Sequence, residues 1–131
     1  MRTLIVEDDF TNRLLLQTVL SNCGDCHIAA NGKEAVDAFR SALATGRPYD
    51  LVCMDVLMPE MNGHEAVKNI RAIEKACGIH PSSTVKIIMA TALGDKENVI
   101  QSAREECNAY ILKPINTAKL MHYIKNFGLW P

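Results

Sequence analysis

Polar side chains that could take part in chemistry occur where four short apolar segments of this chain end. Glu7, Asp8 and Asp9 follow the first segment, Asp55 lies near the end of the third, and Thr91 and Lys113 end the fourth and fifth, whereas Asn31-Gly32, after the second, predicts a plain turn. If Asp8, Asp9 and Asp55 converged, their like charges would repel, and burial would increase that cost. Lys113 and a hard divalent cation with oxygen ligands, such as Mg²⁺, would offset the repulsion.

Short apolar segments alternate with longer amphipathic segments over the whole chain. The apolar segments predict strands over residues 3–6, 26–30, 50–56, 85–90 and 109–112, and the helical periodicity predicts helices over 11–23, 33–44, 64–77, 95–107 and 117–127. This alternation predicts an α/β fold with a parallel sheet covered by helices on both faces. Because ligands bind at the carboxyl ends of such strands, the four polar strand ends are expected to share one edge.

The composition is that of one folded domain over residues 1–131. Apolar residues make up 48% of the chain, charged residues 22%, and the net charge is −1. The chain has no excess of basic residues that would indicate nucleic-acid binding. No segment approaches the roughly 20 apolar residues that a membrane span needs. The apolar run at the N-terminus is short and is followed directly by acids, which argues against secretion. The number of cysteines, five, is odd, which favours reduced thiols in the cytoplasm.

The motifs, taken in order, resemble the receiver domain of two-component response regulators over essentially the whole chain. The matching motifs are VEDD with Asp8 and Asp9, MDVLMPEMNG with Asp55, MATA with Thr91, and ILKP with Lys113 and Pro114. The resemblance implies a flavodoxin-like doubly wound sheet of five parallel strands in the order 2-1-3-4-5, with five helices. It also implies a stand-alone CheY-like switch, not a conventional enzyme, that receives phosphate from a histidine kinase or phosphotransfer protein.

The resemblance further implies where phosphate and metal would bind. Asp55 matches the phospho-acceptor, whose carboxylate attacks phosphorus to form an aspartyl phosphate while the domain catalyses its own phosphorylation and dephosphorylation. Mg²⁺ would be bound directly by Asp9, by Asp55 and by the backbone carbonyl of Leu57. Asp8 would act on the metal through a bound water.

The remaining matches imply contacts to the phosphoryl group and a conformational switch. Lys113 and the Thr91 hydroxyl would each contact a phosphoryl oxygen, and a cis peptide before Pro114 would aim Lys113 into the pocket. On phosphorylation Thr91 would move toward the phosphoryl group and Tyr110 would turn inward. The predicted helix over 95–107, the fifth strand and the last helix would then present an altered face to a downstream protein.

Other functions use related groups and stay open at this point. The domain could be a phosphorelay intermediate that passes its phosphate onward. A Mg²⁺-dependent phosphatase with an aspartyl nucleophile would carry a D-x-D motif on its first strand and a cap domain, and this chain has no such motif and is too short for a cap. A flavin site would need a phosphate-binding loop rich in Ser, Thr and Gly, where this chain is acidic.

Three features of the sequence have alternative explanations. Asp8 and Asp9 could cap the first helix, although this would leave Asp55 and Lys113 unexplained. The segment Cys23-Gly-Asp-Cys26-His27 matches the C-x-x-C-H motif of haem attachment, but that chemistry needs export, and zinc would need two further ligands. The apolar end of the chain, 127–131, is expected to fold back onto the domain, with a partner contact as the alternative.

Overall fold

Five parallel strands form the centre of the fold. The structure is a computed structural model that describes residues 1–56, 58, 61–92 and 106–129. In this part of the chain the strands are β1 (Arg2–Val6), β2 (Asp25–Ala29), β3 (Leu51–Asp55), β4 (Lys86–Ala92) and β5 (Ala109–Lys113). They lie in the order β2-β1-β3-β4-β5 with every neighbouring pair parallel. The predicted sheet order is therefore confirmed.

Four helices lie within the described residues, and a short 3₁₀ turn (Pro81–Ser83) precedes β4. The helices are α1 (Phe10–Leu20), α2 (Gly32–Ala44), α3 (Gly63–Ala76) and α4 (Thr117–Asn126). Each begins after an Asp or Asn whose side chain accepts the main-chain N–H three residues further on, which satisfies one of the unpaired donors of the first turn. None of them has the length and apolar character that crossing a membrane requires. The helix predicted over 95–107 lies outside the described residues except at its last two positions.

Most predicted element boundaries agree with the structure to within one residue, and two differ by more. α1 ends at Leu20 instead of residue 23, because the chain turns there with the Cys23 N–H donating to the Leu20 carbonyl at 2.9 Å. β4 continues to Ala92 instead of residue 90, because Thr91 and Ala92 pair with β5. The first difference comes from a local turn, and the second comes from pairing with a strand that is distant in sequence.

The alternation of side chains along the strands divides the apolar core into two layers. On β3, Val52 and Met54 belong to the layer under α2 and α3, whereas Leu51 and Cys53 belong to the layer under α1 and α4. Because both faces of the central strands are buried, a slip of one residue would exchange the two layers. The register is therefore strongly specified, and it places Asp55 beside Ala90 of β4.

The end of the chain folds back onto the domain as far as the structure describes it. Phe127 and Leu129 pack against the layer under α1 and α4, and the Lys86 ammonium lies 6.0 Å from the centre of the Phe127 ring. Residues 130 and 131 lie outside the described residues. The expectation of a folded-back end is thus confirmed up to Leu129.

The two-sided burial of the sheet predicts a position-dependent cost for the same substitution. Ile87 on β4 is completely buried, whereas Ile28 on the edge strand β2 is 39% exposed. We expect Ile87→Val to lower the free energy of unfolding by about 0.5–1.5 kcal/mol, because it leaves a cavity. Ile28→Val should change it by less than about 0.5 kcal/mol. Urea denaturation of both variants checks this, and equal losses would contradict the described burial.

Candidate functional site

The carboxyl ends of β1, β3 and β5 bring three charged residues together. Asp55 is the last residue of β3 and is 6% exposed, and Glu7 directly follows β1 and is completely buried. Lys113 is the last residue of β5 and lies beside Ala92 in the sheet. The parallel sheet therefore places residues separated by more than 100 positions at one edge.

Three carboxylates form a cluster at this edge. One oxygen each of Glu7, Asp8 and Asp55 lies within 4.8 Å of the others. Glu7 and Asp55 are buried, whereas Asp8 is exposed. The cluster is therefore closed toward the core and open toward solvent on the side of Asp8, which is the direction from which an ion or a substrate would enter.

The Lys113 ammonium compensates part of this negative charge. Its Nζ donates a hydrogen bond to Glu7 Oε1 at 3.0 Å and lies 3.2 Å from Asp55 Oδ1. Burial by itself lowers the pKa of Lys113, but the hydrogen bond to Glu7 and the negative charge of Asp55 outweigh burial and raise the pKa above its ordinary value. Lys113 therefore stays positively charged at neutral pH.

One buried oxygen of the cluster is left without a hydrogen bond in the described part of the chain. Glu7 Oε1 accepts from Lys113 and, at 3.4 Å, from the Asp9 N–H, but Glu7 Oε2 has no donor. A buried carboxylate oxygen without a partner is costly. A divalent cation with a preference for oxygen ligands would satisfy this atom and reduce the repulsion among the three acids, so the residues present fit Mg²⁺.

The structure does not bring Asp9 into the cluster. Its Oδ2 accepts the Asn12 N–H at 2.9 Å, so Asp9 is the N-cap residue of α1. The sequence predicts direct metal binding by Asp9, whereas the structure places Glu7 in the cluster of carboxylates instead. A sequence signal for Glu7 existed: it is the first polar residue after a strand whose Leu4, Ile5 and Val6 are all buried.

Thr91 and the Lys113–Pro114 peptide lie at the same edge, whereas Tyr110 is the second residue of β5. Thr91 is 1% exposed and follows Ala90, the neighbour of Asp55 in the sheet. Tyr110 pairs with Met89 on β4, so Tyr110 and Thr91 lie on the same face of adjacent strands. The Lys113–Pro114 peptide is cis, as expected. Leu57 lies outside the described residues.

The Cys-x-x-Cys-His segment does not form a metal site. Among the described residues, the acidic cluster is the one group of three or more potential ligands whose donor atoms lie within 4.8 Å of one another. His27 Nδ1 instead lies 2.7 Å from the Tyr49 hydroxyl oxygen, in hydrogen-bond contact. All five cysteines lie in the described ranges and are free.

Comparison with known families identifies the family of this domain. The family described as "Response regulator receiver domain" matches residues 3–125. The chain belongs to this family. It is therefore a receiver domain of the CheY type, which is a signalling switch of two-component systems.

The curated relatives of this receiver domain differ greatly in length. The chain is 32% identical over 122 residues to chemotaxis protein CheY of Thermotoga maritima, and the match covers 92% of the chain and 91% of that protein. It is 36% identical over 129 residues to hybrid signal transduction histidine kinase I of Dictyostelium discoideum, covering 95% of the chain but only 7% of the kinase. Receiver domains like this one thus occur both as most of a small protein and as a small part of a large one.

Two solved receiver domains are close in structure. One is the receiver domain of Ssk1 from Saccharomyces cerevisiae, crystallised with the histidine phosphotransfer protein Ypd1. It is 32% identical, with a TM-score of 0.78, covering 98% of this chain and 88% of that one. The other is the receiver domain of sensor histidine kinase PA1611 from Pseudomonas aeruginosa, solved with a magnesium ion in its active site cleft. It is 29% identical, with a TM-score of 0.76, covering 96% and 95% of the two chains.

The different positions of Asp8 and Asp9 predict different effects of the same substitution. Asp8→Ala should weaken Mg²⁺ affinity by about tenfold or more, because it removes one carboxylate from the cluster. Asp9→Ala should lower the free energy of unfolding by about 1 kcal/mol through loss of the helix cap. Its Mg²⁺ affinity should stay within about threefold of wild type, because the exposed Asp9 carboxylate lies outside the cluster and its charge is screened by solvent and salt. Calorimetric titration and urea denaturation check both effects, and the opposite ranking of affinities would restore Asp9 as the ligand.

The burial of Cys53 predicts a thiol that does not react in the folded protein. Burial, with a smaller contribution from Cys26, raises the pKa of Cys53 to about 12. Because the thiolate is the reactive form, iodoacetamide at pH 8 should leave Cys53 unmodified, whereas the exposed Cys77 should be alkylated. Peptide mass spectrometry checks this. Modification of Cys53 at a rate close to that of Cys77 would contradict the described core.

Proposed function

We propose that this receiver domain accepts a phosphoryl group on Asp55 from the histidine of a histidine kinase or phosphotransfer protein. The observation that carries the proposal is the environment of the Asp55 carboxylate. It is buried at a strand end with the Lys113 ammonium 3.2 Å from Oδ1 and with oxygens of Glu7 and Asp8 within 4.8 Å. Asp8 is exposed, so the cluster is open to solvent on that side.

The proposed transfer needs few groups beyond those in the cluster. An oxygen of Asp55 attacks phosphorus, and the new P–O bond replaces the P–N bond to the donor imidazole, whose nitrogen leaves with the bonding electron pair. Such a transfer depends on alignment and on neutralising the phosphoryl oxygens more than on a base. Lys113, held between Glu7 and Asp55, supplies a fixed positive charge at the reacting carboxylate. The Thr91 hydroxyl would contact another phosphoryl oxygen.

Glu7, Asp8 and Asp55 are the residues proposed to hold Mg²⁺. When bound there, the ion supplies positive charge to the carboxylates and to the phosphoryl oxygens. The partnerless Glu7 Oε2 and the magnesium ion in the PA1611 receiver domain support this assignment. The carbonyl of Leu57 and a water-mediated contact of Asp8 remain part of the proposal.

The proposed output is a change on the face that contains β5 and α4. Tyr110 is partly buried against the core layer under α2 and α3, and it shares a sheet face with Thr91. A movement of Thr91 toward phosphate would therefore free space on the side to which Tyr110 could turn. Leu112 on β5 is 50% exposed, so it lies where a downstream protein could contact this face.

Onward transfer in a phosphorelay is the second candidate. The similarity to the Ssk1 receiver domain, which was crystallised with a phosphotransfer protein, favours a phosphotransfer protein as donor or acceptor. In either case we place residues 1–131 as one receiver domain in the cytoplasm, where the five free cysteines would stay reduced.

Labelling with a small phosphodonor tests the proposal. Incubation with acetyl phosphate and Mg²⁺ should add one phosphoryl group per chain, detected by intact-mass spectrometry. Labelling should vanish in Asp55→Asn and on chelation of the metal, and it should persist in the control Asp37→Asn, whose carboxylate is exposed on α2. Labelling that survives in Asp55→Asn would refute Asp55 as acceptor. Sustained hydrolysis of a generic phosphate ester would instead favour the phosphatase function.

A further inference from the structure

Gly32, at the start of α2, packs against the chain that follows the phospho-acceptor. Its N–H donates to the Met61 carbonyl at 3.2 Å, and a methyl group built on Gly32 would overlap that carbonyl oxygen. Gly32 is buried, and its φ lies outside the left-handed region that only glycine favours. Lack of space, and not backbone conformation, is therefore what excludes a side chain here. The Asn31-Gly32 segment is thus more than the plain turn that its sequence predicts.

A second close approach links Met61 to Asp55. Gly63, two residues after Met61, donates its N–H to the Val56 carbonyl at 2.8 Å, and a methyl group on Gly63 would overlap the Asp55 carbonyl oxygen. Main-chain contacts thus run from Gly32 to Met61 and from Gly63 to Asp55. These contacts bracket the stretch of sequence that contains Leu57.

We propose that Gly32 is a positioning residue for the phosphorylation site. It acts through the main chain of Met61 on the segment between Val56 and Gly63, and so on the placement of Asp55 and of the metal-binding groups. This inference rests on the proposed function, since it assigns Gly32 to the Mg²⁺ and phosphoryl chemistry of Asp55. Gly32 touches no reacting atom, so its effect is indirect.

The expected effect of a side chain at this position follows from the geometry. Alanine at position 32 must displace the Met61 carbonyl, because two main-chain segments cannot both keep their places. A displacement of about 1 Å can reduce a positioned reaction by up to about 100-fold. Loss of a supporting contact around a metal site weakens metal binding by about 10–100-fold.

The chain offers matched controls for Gly32→Ala. Gly46 and Gly78 have φ of +73° and +71°, and a methyl group on either would meet no atom within 4 Å. They follow the carboxyl ends of α2 and α3, at the sheet edge opposite to the site. Gly46→Ala and Gly78→Ala therefore strain the backbone and lower stability without contact to the segment after Asp55.

The experiment compares the three variants with wild type by calorimetric Mg²⁺ titration, single-turnover labelling with acetyl phosphate, and urea denaturation. All three should unfold at lower urea concentration than wild type. Only Gly32→Ala should also bind Mg²⁺ about tenfold more weakly and accept phosphate about tenfold more slowly. If Gly32→Ala matches the controls in affinity and rate, the inference is overturned, and Gly32 is merely structural.

A measurement on the wild-type protein covers the case in which Gly32→Ala does not fold. The amide signals of Gly32 and Met61 in a ¹H–¹⁵N spectrum should shift on addition of Mg²⁺, whereas those of Gly46 and Gly78 should not. If the protein binds Mg²⁺ but the Gly32 and Met61 signals do not shift, the inference is overturned, whereas the proposed function is not. If wild type neither binds Mg²⁺ nor accepts phosphate, the proposed function fails, and the inference fails with it.

Discussion

Electrostatic repulsion among three carboxylates, compensated in part by Lys113, is the interaction around which this fold is arranged. In the described part of the chain, Glu7, Asp8 and Asp55 face a single ammonium, and one buried oxygen of Glu7 has no donor. Such an arrangement costs stability in the absence of further positive charge. The same deficit of positive charge would favour a bound cation at this edge, as proposed for Mg²⁺.

The sheet supplies the stability that holds these charges together. The central strands are buried on both faces, so the repelling groups cannot separate without breaking two apolar layers and the strand register. Because β1 leads into α1 and β3 leads into α3, the strand ends that carry the acids lie near the beginnings of these two helices. The partial positive charge of these helix starts favours anions at the same edge. The core that stabilises the fold thus also holds the repelling carboxylates together at one edge.

The chain around Asp55 shows that the position of a reactive group depends on its main-chain neighbours as much as on its own strand. The Gly63 N–H donates to Val56, and the Gly32 N–H donates to Met61, so the segment after β3 is held at both ends by backbone contacts too close for a side chain. The site is in this sense built by β3 and by the starts of α2 and α3 together.

The sequence by itself determined the alternation of strands and helices and the placement of Asp55 at a strand end. These features follow from local periodicity and from residues that stop strands and begin helices. The order of the strands was available through resemblance to a family. Only the tertiary structure decided that Glu7 and not Asp9 faces the cluster, that β4 runs on to Ala92, and that Gly32 contacts the chain after Asp55. Consecutive residues leaving a strand point in different directions, and which of them faces a distant partner is set by packing between elements that the local pattern does not contain.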